Sequence, residues 1–330
     1  MTDLAALVAA LRASRGFAQK RDIGRVLGRL GLADAGAAVP NGDDCAVLPD
    51  PSGQAHLLLA IEGLASDFVQ AMPWFAGYSA VMVNLSDIAG MGGHAVAVVD
   101  ALWSADEAMA VEIVAGMQTA AERYGVPLVG GHTNLRAAQG QLAVAVLGRA
   151  ERLISSFAAQ RGDRLLMATD LRGRWMDPYP FWNASTEAPP ERLRADMALL
   201  AGLAQAGLVD AGKDISMAGV LGTTLMLLEC SGVGACIDLA RIPAPPGAGS
   251  GDAQLRWLTA FPSFGFVLAV RPAAVAETTG RFAARGIACA DIGEVTAGST
   301  LRVSQDGQEA LLWDLSTEAF ITAAVRGEQA

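Results

Sequence analysis

Apolar residues recur along this chain in two rhythms, every second position and every third or fourth position, and the two rhythms alternate. The first rhythm is typical of strands and the second of helices. In the first 150 residues the order of predicted elements after the second helix is β-β-α-β-α-β-β, which indicates an α/β domain. The predicted helices span 3–14, 20–30, 78–91 and 106–124, and the predicted strands span 46–48, 56–62, 96–103, 126–129 and 142–146, with a glycine- and alanine-rich loop before Asn41.

A second unit is predicted to begin near residue 150. At 330 residues the chain is longer than one hydrophobic core usually organises, so two domains are expected, 1–150 and 151–330. A proline- and glycine-rich stretch at 243–251 is typical of a loop. The predicted elements of this unit are helices at 191–207, 215–231 and 273–285, strands at 165–169 and 265–270, and strand-like pieces around Ile292 and Leu301.

Composition narrows the class of protein. Hydrophobic residues make up 52% of the chain and charged residues 18%, which favours a folded globular protein over a disordered one. The net charge of −10 argues against nucleic acid or an anionic membrane as a partner. Four cysteines without a CxxC pair suggest neither a zinc site nor a redox motif. Because no apolar run approaches the ~20 residues of a membrane span and Met1–Arg12 lacks the pattern of a signal peptide, a cytoplasmic location is expected.

Carboxylates gather at three places in the first half. Asp43 and Asp44 stand where a loop meets the first predicted strand, and such adjacent like charges need solvent or a cation between them. Asn84 and Asp87 project from one side of the third predicted helix, and Glu62 ends a strand. Carboxylates are the hard oxygen ligands that Mg²⁺ accepts while it bridges to phosphates. A solvated turn at Asp43 and an N-cap or surface role for Asp87 stay open.

A glycine pair follows the fourth predicted strand of the first half. Gly130 and Gly131 permit close approach of the backbone to a phosphate, and Thr133 offers a hydroxyl to a metal or an oxygen. The carboxyl end of a strand is also where α/β folds collect ligands. The alternative is a plain connecting turn, in which His132 is a hydrogen-bonded turn residue instead of a phosphate donor.

One polar cluster introduces the long apolar run of the second half. Lys213 and Asp214 are predicted to start a helix, where Asp214 or Ser216 would serve as an N-cap. The functional interpretation is that the lysine and the carboxylate point from this helix start toward a phosphate group. The sequence pattern supports both interpretations equally.

The motifs together resemble a known family. The match covers about residues 40 to 240 in the correct order, and the chain is similar to the aminoimidazole ribonucleotide (AIR) synthetase superfamily, within it most closely to the thiamine-monophosphate kinases. The motifs that carry the resemblance are Gly-Asp-Asp-x-Ala-Val-Leu at 42–48, Asn-Leu-Ser-Asp-Ile-Ala-x-Met-Gly-Gly at 84–93, Gly-Gly-x-Thr at 130–133, Gly-Asp at 162–163, Asp-Ile-Ser at 214–216 and Ser-Gly-Val-Gly-Ala-x-Ile-Asp-Leu at 231–239.

The resemblance implies a two-domain α/β protein of the AIR synthetase type. The mixed sheets of two N-terminal domains would pair into the β-barrel of a homodimer, the C-terminal domain would be an α/β sandwich, and ATP and Mg²⁺ would bind near the subunit junction. By the same resemblance, Asp43, Asp44 and Asp87 are expected metal ligands, as is Glu62, which stands where the family usually has Asp. The expected nucleotide contacts are Asn84, Gly130, Gly131, His132 and Thr133. Asp214 is an expected catalytic residue, and Lys213 beside it is expected to stabilise phosphoryl charge.

Two departures from the kinase pattern concern the substrate. The pattern Asp-Ile-Ser-Asp-Gly reads Asp-Ile-Ser-Met-Ala here, so that Met217 replaces an acidic residue, and the kinase substrate segment after the first acidic strand is replaced by 66–75. The resulting hypothesis is a Mg²⁺-dependent phosphotransferase that uses ATP and an unknown small-molecule acceptor, with the aromatic segment 175–183 and the segment 64–75 setting the acceptor. The alternatives are an ATP-dependent synthetase, of the AIR synthetase or selenophosphate synthetase type, and a nucleotide-binding protein without turnover.

Overall fold

The structure is a computed structural model that describes residues 3–30 and 39–322. The chain folds into two compact units. The first unit comprises 44–153 and 185–205, and the second comprises the described residues up to Asp43 together with 154–184 and 206–322. The segment 185–205 thus belongs with the first half of the chain, and the division at residue 150 stays a prediction. The glycine- and alanine-rich loop predicted before Asn41 lies mostly in 31–38, outside the described residues.

The first unit is a mixed five-stranded sheet with the strand order β1-β2-β5-β3-β4. All neighbouring pairs are antiparallel except β3 and β4, which run parallel. The predicted order of elements is confirmed, with a short extra helix, α3, before α4. The strands are β1 Ala46–Pro49, β2 His56–Leu64, β3 His94–Trp103, β4 Leu128–Asn134 and β5 Gln141–Ala150, and the helices are α3 Ser66–Ala71, α4 Pro73–Gly90, α5 Glu107–Tyr124 and α6 Pro190–Gln205.

Helix α4 lies against one face of this sheet and is buried on nearly every side, from Phe75 to Gly90. It packs on β2, β3 and β5, and it contacts α5 and α6. Its contact with α5 is made by backbone, because a Cβ on Gly77 would come within 2.0 Å of the Ile113 carbonyl oxygen, and one on Gly116 within 2.0 Å of the Trp74 carbonyl oxygen. Only glycine allows two helices to approach this closely.

The other face of the sheet is open and apolar. Leu59 and Leu147 pair across β2 and β5, and Ile61 shares its row with Ala145 and Val99. The Ile61 side chain is 69% exposed, whereas Leu58 on the opposite face of the same strand is fully buried. The solvated face of an antiparallel sheet is normally polar, so an open face that carries these apolar side chains is typical of an interaction surface.

The second unit contains a seven-stranded sheet with the order β15-β14-β10-β13-β6-β12-β9 and a small sheet with the order β11-β8-β7. Its helices are α1 Leu4–Arg12, α2 Arg15–Leu30, α7 Gly219–Ser231, α8 Gly251–Leu258 and α9 Val275–Ala283. Its strands are β6 Arg164–Thr169, β7 Arg174–Trp175, β8 Phe181–Asn183, β9 Ala211–Asp214, β10 Gly234–Asp238, β11 Phe261–Pro262, β12 Gly265–Val270, β13 Ala288–Thr296, β14 Thr300–Gln305 and β15 Gln308–Asp314.

The core of the second unit forms around its two central strands. Every residue of β12 is buried, and so is every residue of β6 after Arg164. Helix α7 is buried from Gly219 to Leu228 and packs on β9 and β12. A strand buried on both faces is expected to be apolar throughout, which explains why these two strands were predicted correctly from continuous apolar runs.

Two expectations about local structure are wrong, and one helix was missed. The residues 130–133 lie inside β4, not in a turn, because the pairing of β4 with β3 continues to Asn134. Helix α7 begins at Gly219 with Ala218 at its N-cap, so neither Asp214 nor Ser216 caps it. The proline-rich stretch at 243–251 leads directly into α8, a helix that the sequence pattern did not predict.

The polar pair on α4 also differs from the expected amphipathic arrangement. Asn84 is fully buried and Asp87 is 7% exposed, because this helix has no solvent-facing side beyond Phe75. Among the helices that the structure describes, none combines enough length with enough apolar character to cross a lipid bilayer.

The close packing of α4 on α5 can be tested through the stability of a glycine variant. Gly77→Ala places a methyl group against the Ile113 carbonyl, so we expect a loss of about 2 kcal/mol of stability or more, seen as a lower midpoint of thermal unfolding. Gly202→Ala is the matched control, because a Cβ at this position in α6 meets no atom within 4 Å. It should leave stability unchanged or raise it by up to about 1 kcal/mol through helix propensity. Equal midpoints for both variants would contradict the proposed close contact.

Candidate functional site

Helix α4 carries the two most deeply buried polar side chains of the predicted site. The Asn84 side chain donates a hydrogen bond from Nδ2 to the Ala80 carbonyl oxygen at 2.7 Å, which turns its amide along the helix. Its Oδ1 atom is buried and accepts no hydrogen bond from the residues that the structure describes. A buried acceptor without a donor costs about 1–3 kcal/mol, so this oxygen marks a place where a bound group would supply a partner.

The carboxylates of Asp44 and Asp87 meet in the first unit. A carboxylate oxygen of Asp44 and one of Asp87 lie within 4.8 Å of each other. Asp44 is half-buried just before β1, and Asp87 is buried one helical turn after Asn84 on α4. Two carboxylates this close repel each other, and the repulsion is relieved by a cation or by a proton.

The geometry of this pair fits a magnesium ion. Oxygen ligands lie about 2.0–2.1 Å from Mg²⁺, so two ligands on opposite sides of the ion are about 4.2 Å apart. The separation of at most 4.8 Å between the Asp44 and Asp87 oxygens therefore needs only a small side-chain movement for both to coordinate one ion. A Mg²⁺ ion held by Asp44 and Asp87 would take its other ligands from water and phosphate oxygens, as is usual for this ion.

Asp43 makes a different set of contacts. Its Oδ1 accepts hydrogen bonds from the Ser156 amide at 3.1 Å and the Ser156 hydroxyl at 2.7 Å. Its Oδ2 accepts from the Ser155 hydroxyl at 2.6 Å and again from the Ser156 amide at 3.1 Å. Both oxygens thus join the strand–loop junction at Asp43 to the segment that precedes β6. The structure shows a structural role for Asp43, and its role as a metal ligand stays a prediction.

Glu62 lies apart from the buried carboxylates. It is exposed near the end of β2, where it pairs with Val144 of β5. Among the described residues, it does not join Asp44 and Asp87 in a group of carboxylates within 4.8 Å of one another. A longer side chain and an exposed position leave Glu62 as a predicted ligand that is not part of this pair.

The residues Gly130–Thr133 form the exposed edge of the sheet. Gly131 pairs with Asp100 of β3, and a Cβ on Gly131 would come within 2.1 Å of the Asp100 carboxylate. The glycine is therefore required by the side chain that lies over it. Burial raises the pKa of Asp100 because the charged form is poorly solvated there. His132 contacts the ring of Trp103, with the centroids 5.8 Å apart.

Lys213 and Asp214 end the buried edge strand β9 in the second unit. Both side chains are buried, at 5% and 4% exposure, and Lys213 donates a hydrogen bond from Nζ to the Gly42 carbonyl oxygen at 3.3 Å. A buried lysine and a buried carboxylate each need a compensating charge or hydrogen bonds. Buried charged groups of this kind occur at functional positions and also in structural ion pairs. Their catalytic role stays a prediction.

Two sets of residues with a part in this region were not singled out from the sequence. Ser155 and Ser156 hold Asp43 from more than 100 residues away, and no local pattern indicates such a contact. Asp100 is different, because a lone carboxylate within the apolar run of β3 is a visible signal. In the structure, strand β3 places the Asp100 carboxylate close to Gly131.

Two models of one protein family together match residues 42–306 of this chain. The N-terminal domain model of the AIR synthase related proteins matches residues 42–150, and the C-terminal domain model of the same proteins matches residues 139–306. The two models together therefore include every residue of the predicted site.

Individual relatives agree with the family match. The chain is 45% identical over 313 residues to the uncharacterized protein sll0787 of Synechocystis sp., covering 94% of this chain and 95% of that protein. It is 32% identical over 231 residues to the thiamine-monophosphate kinase of Synechococcus elongatus, covering 63% of this chain and 69% of that enzyme.

A solved structure shows the same fold. The structure described as AaThiL complexed with AMPPCP and TMP superimposes with a TM-score of 0.66 and 20% sequence identity, covering 88% of this chain and 95% of that one. Fold, motifs and family models agree, and the protein belongs to the AIR synthase related family, close to the thiamine-monophosphate kinases.

Proposed function

We propose that this protein is a Mg²⁺-dependent, ATP-using phosphotransferase that acts on a small-molecule acceptor. The observation that carries the proposal is the pair of carboxylates, Asp44 and Asp87, whose oxygens lie within 4.8 Å of each other in the first unit. The relatives named thiamine-monophosphate kinase and the similar fold bound to AMPPCP, an ATP analogue, support ATP as the phosphoryl donor.

Asp44 and Asp87 would hold the metal ion, and Asn84 would supply its buried Oδ1 as an acceptor for a donor on the bound group or its waters. Magnesium would neutralise the negative charge of the ATP phosphates. The protein would hold these side chains rigid, because α4 is buried from Phe75 to Gly90 and cannot shift without repacking its neighbours. Phosphoryl transfer needs mainly such positioning and charge neutralisation.

The other predicted residues keep their proposed roles from the family resemblance. Asp43 and Glu62 are proposed as further metal ligands, Gly130–Thr133 as phosphate contacts, and Lys213 and Asp214 as catalytic residues. In β4 the predicted phosphate contacts would come from an exposed strand edge, whose backbone N–H groups are available to a ligand. A cytoplasmic location also stays a prediction.

A nucleotide-binding protein without turnover is the second candidate. Met217 stands where the related kinases have an acidic residue, and no carboxylate replaces it at the neighbouring Ala218. Loss of a catalytic carboxylate is compatible with nucleotide binding that no longer leads to transfer. The two candidates share the metal site and differ only in the release of ADP.

The open face of the five-stranded sheet supports a homodimer. Its exposed apolar side chains include Leu59, Ile61, Val99 and Leu147. The face is a regular sheet surface, and a second copy presents the same shape and the same apolar character, as a two-fold interface requires. We therefore propose that two copies of this chain pair through these faces.

The metal site is tested by Asp87→Asn, which keeps the size of the side chain and removes its charge. We expect the affinity for AMPPCP in the presence of Mg²⁺, measured by isothermal titration calorimetry, to fall about a hundredfold or more. Asp106→Asn is the control, because Asp106 caps α5 through Met109 and asparagine caps equally well. Unchanged nucleotide affinity in Asp87→Asn, with the fold intact, would refute the site.

The two candidate functions are separated by turnover. The protein is incubated with Mg²⁺, ATP and a fractionated metabolite pool, and the release of ADP is compared with that of Asp87→Asn. A phosphotransferase releases ADP only with an acceptor-containing fraction, and the variant abolishes this release. Tight binding of ATP without release of ADP from any fraction would favour the second candidate.

The dimer is tested by Ile61→Lys, which places a charge in the middle of the open sheet face. We expect wild-type protein to sediment as a dimer and the variant to sediment as a monomer, because burying an unpaired charge is costly. Val111→Lys is the matched control, since Val111 is 60% exposed on α5, away from that face. A monomeric wild-type protein, or a dimeric Ile61→Lys variant, would contradict the proposed pairing.

A further inference from the structure

The second unit contains a cavity of about 620 Å³ whose wall is built from tryptophan, proline and arginine. Strands β7 and β8 form a hairpin in which Trp175 and Trp182 are direct cross-strand partners. Their ring centroids lie 5.3 Å apart in an edge-to-face arrangement, and both rings line the cavity, which we call the tryptophan pocket. Pro245 and Pro246 line it as well. The volume is within the range of small-molecule sites.

The aromatic wall is held in place by hydrogen bonds and by a third tryptophan. Trp182 donates from Nε1 to the Asp170 carbonyl oxygen at 2.9 Å. Trp257 of α8 packs edge-to-face on both Trp175 and Trp182, and it donates from Nε1 to the Pro243 carbonyl oxygen at 2.8 Å. These hydrogen bonds and ring contacts orient the wall without a ligand, and such preorganisation lowers the entropy that binding costs.

The charged residues of the tryptophan pocket are two arginines and one aspartate. The guanidinium of Arg256 lies 4.0 Å from the centroid of the Trp175 ring, and Arg174 lines the same cavity. Asp252 contributes the carboxylate and stands in the first turn of α8, where the helix N-terminus stabilises its charge. The lining is therefore apolar with an excess of positive charge.

Arg256 can bind an incoming anion while its guanidinium stays stacked on Trp175. Its partner Asp177 is 74% exposed, and an ion pair this exposed contributes little and exchanges easily with solvent or ligand. Guanidinium groups bind carboxylate and phosphate in two-point geometry, and stacking on Trp175 fixes the orientation of the Arg256 group.

We propose that the tryptophan pocket binds a small molecule with a flat, unsaturated ring and an acidic group, either a carboxylate or a phosphate. The ring would lie against the Trp175 and Trp182 wall, and the anion would face Arg256 and Arg174. Every residue in this argument belongs to the second unit, so the inference stands independently of the metal site on α4 and of ATP chemistry.

The 330-residue chain is titrated with 2-naphthoate, with 2-naphthyl phosphate and with neutral 2-naphthamide, using calorimetry and ligand-observed NMR. We expect at least one anionic probe to bind about tenfold more tightly than the amide, since one guanidinium contact to an anion is worth that much. Preference for one anion over the other identifies the acidic group. Failure of both anions to bind, or equal affinity for the amide, would overturn the proposal.

Two variants assign the binding to the pocket. Arg256→Gln should lower the affinity for the anionic probe about tenfold and leave the amide unaffected, whereas Trp175→Leu should weaken both. Arg302→Gln is the control, because Arg302 is an exposed arginine of β14 that pairs with Glu309 outside the pocket. Wild-type affinity of Arg256→Gln for the anion would overturn the proposal, and this variant keeps the test valid if Trp175→Leu fails to fold.

Discussion

Burial of helix α4 is the constraint on which the candidate site depends. Gly77 and Gly116 let the backbones of α4 and α5 touch. Helix α4 therefore packs closely between the sheet and its neighbouring helices, and its residues from Phe75 to Gly90 are buried. A carboxylate on such a helix is held in a poorly solvated position, where a nearby second carboxylate raises its energy further. The closeness of Asp87 to Asp44 is the observation that supports our proposal of a shared cation.

The two proposed sites lie in different units and use different chemistry. The first unit contains carboxylates on and near a buried helix, and an edge strand that is exposed from Gly130 to Asn134. The second unit supplies an aromatic wall on a hairpin, braced by Trp257 and bordered by arginines. Asp43 contributes through its two serine partners, which anchor the start of the acidic motif. Preorganised groups of this kind keep their geometry when a ligand arrives, and this favours tight and specific binding.

The sequence predicted most elements and failed where contacts are distant in the chain. Strand β12 and helix α5, with its end at Gly125, were predicted almost to the residue, because continuous apolar runs and a C-terminal glycine are local signals. The glycine pair at Gly130 looked like a turn, yet pairing with β3 extends the strand through it. Helix α8 was missed because proline and glycine precede it. Of the site, local patterns indicated Asp87 and Asn84, whereas the serine partners of Asp43 depend on tertiary contacts.

The most direct test of a metal ion shared by Asp44 and Asp87 is to locate the ion in crystals of this chain grown with Mn²⁺ and AMPPCP. Manganese prefers the same oxygen ligands as magnesium and gives an anomalous signal that identifies it. We expect an anomalous peak within bonding distance of carboxylate oxygens of both Asp44 and Asp87. A well-ordered nucleotide whose metal contacts neither of these carboxylates would contradict it.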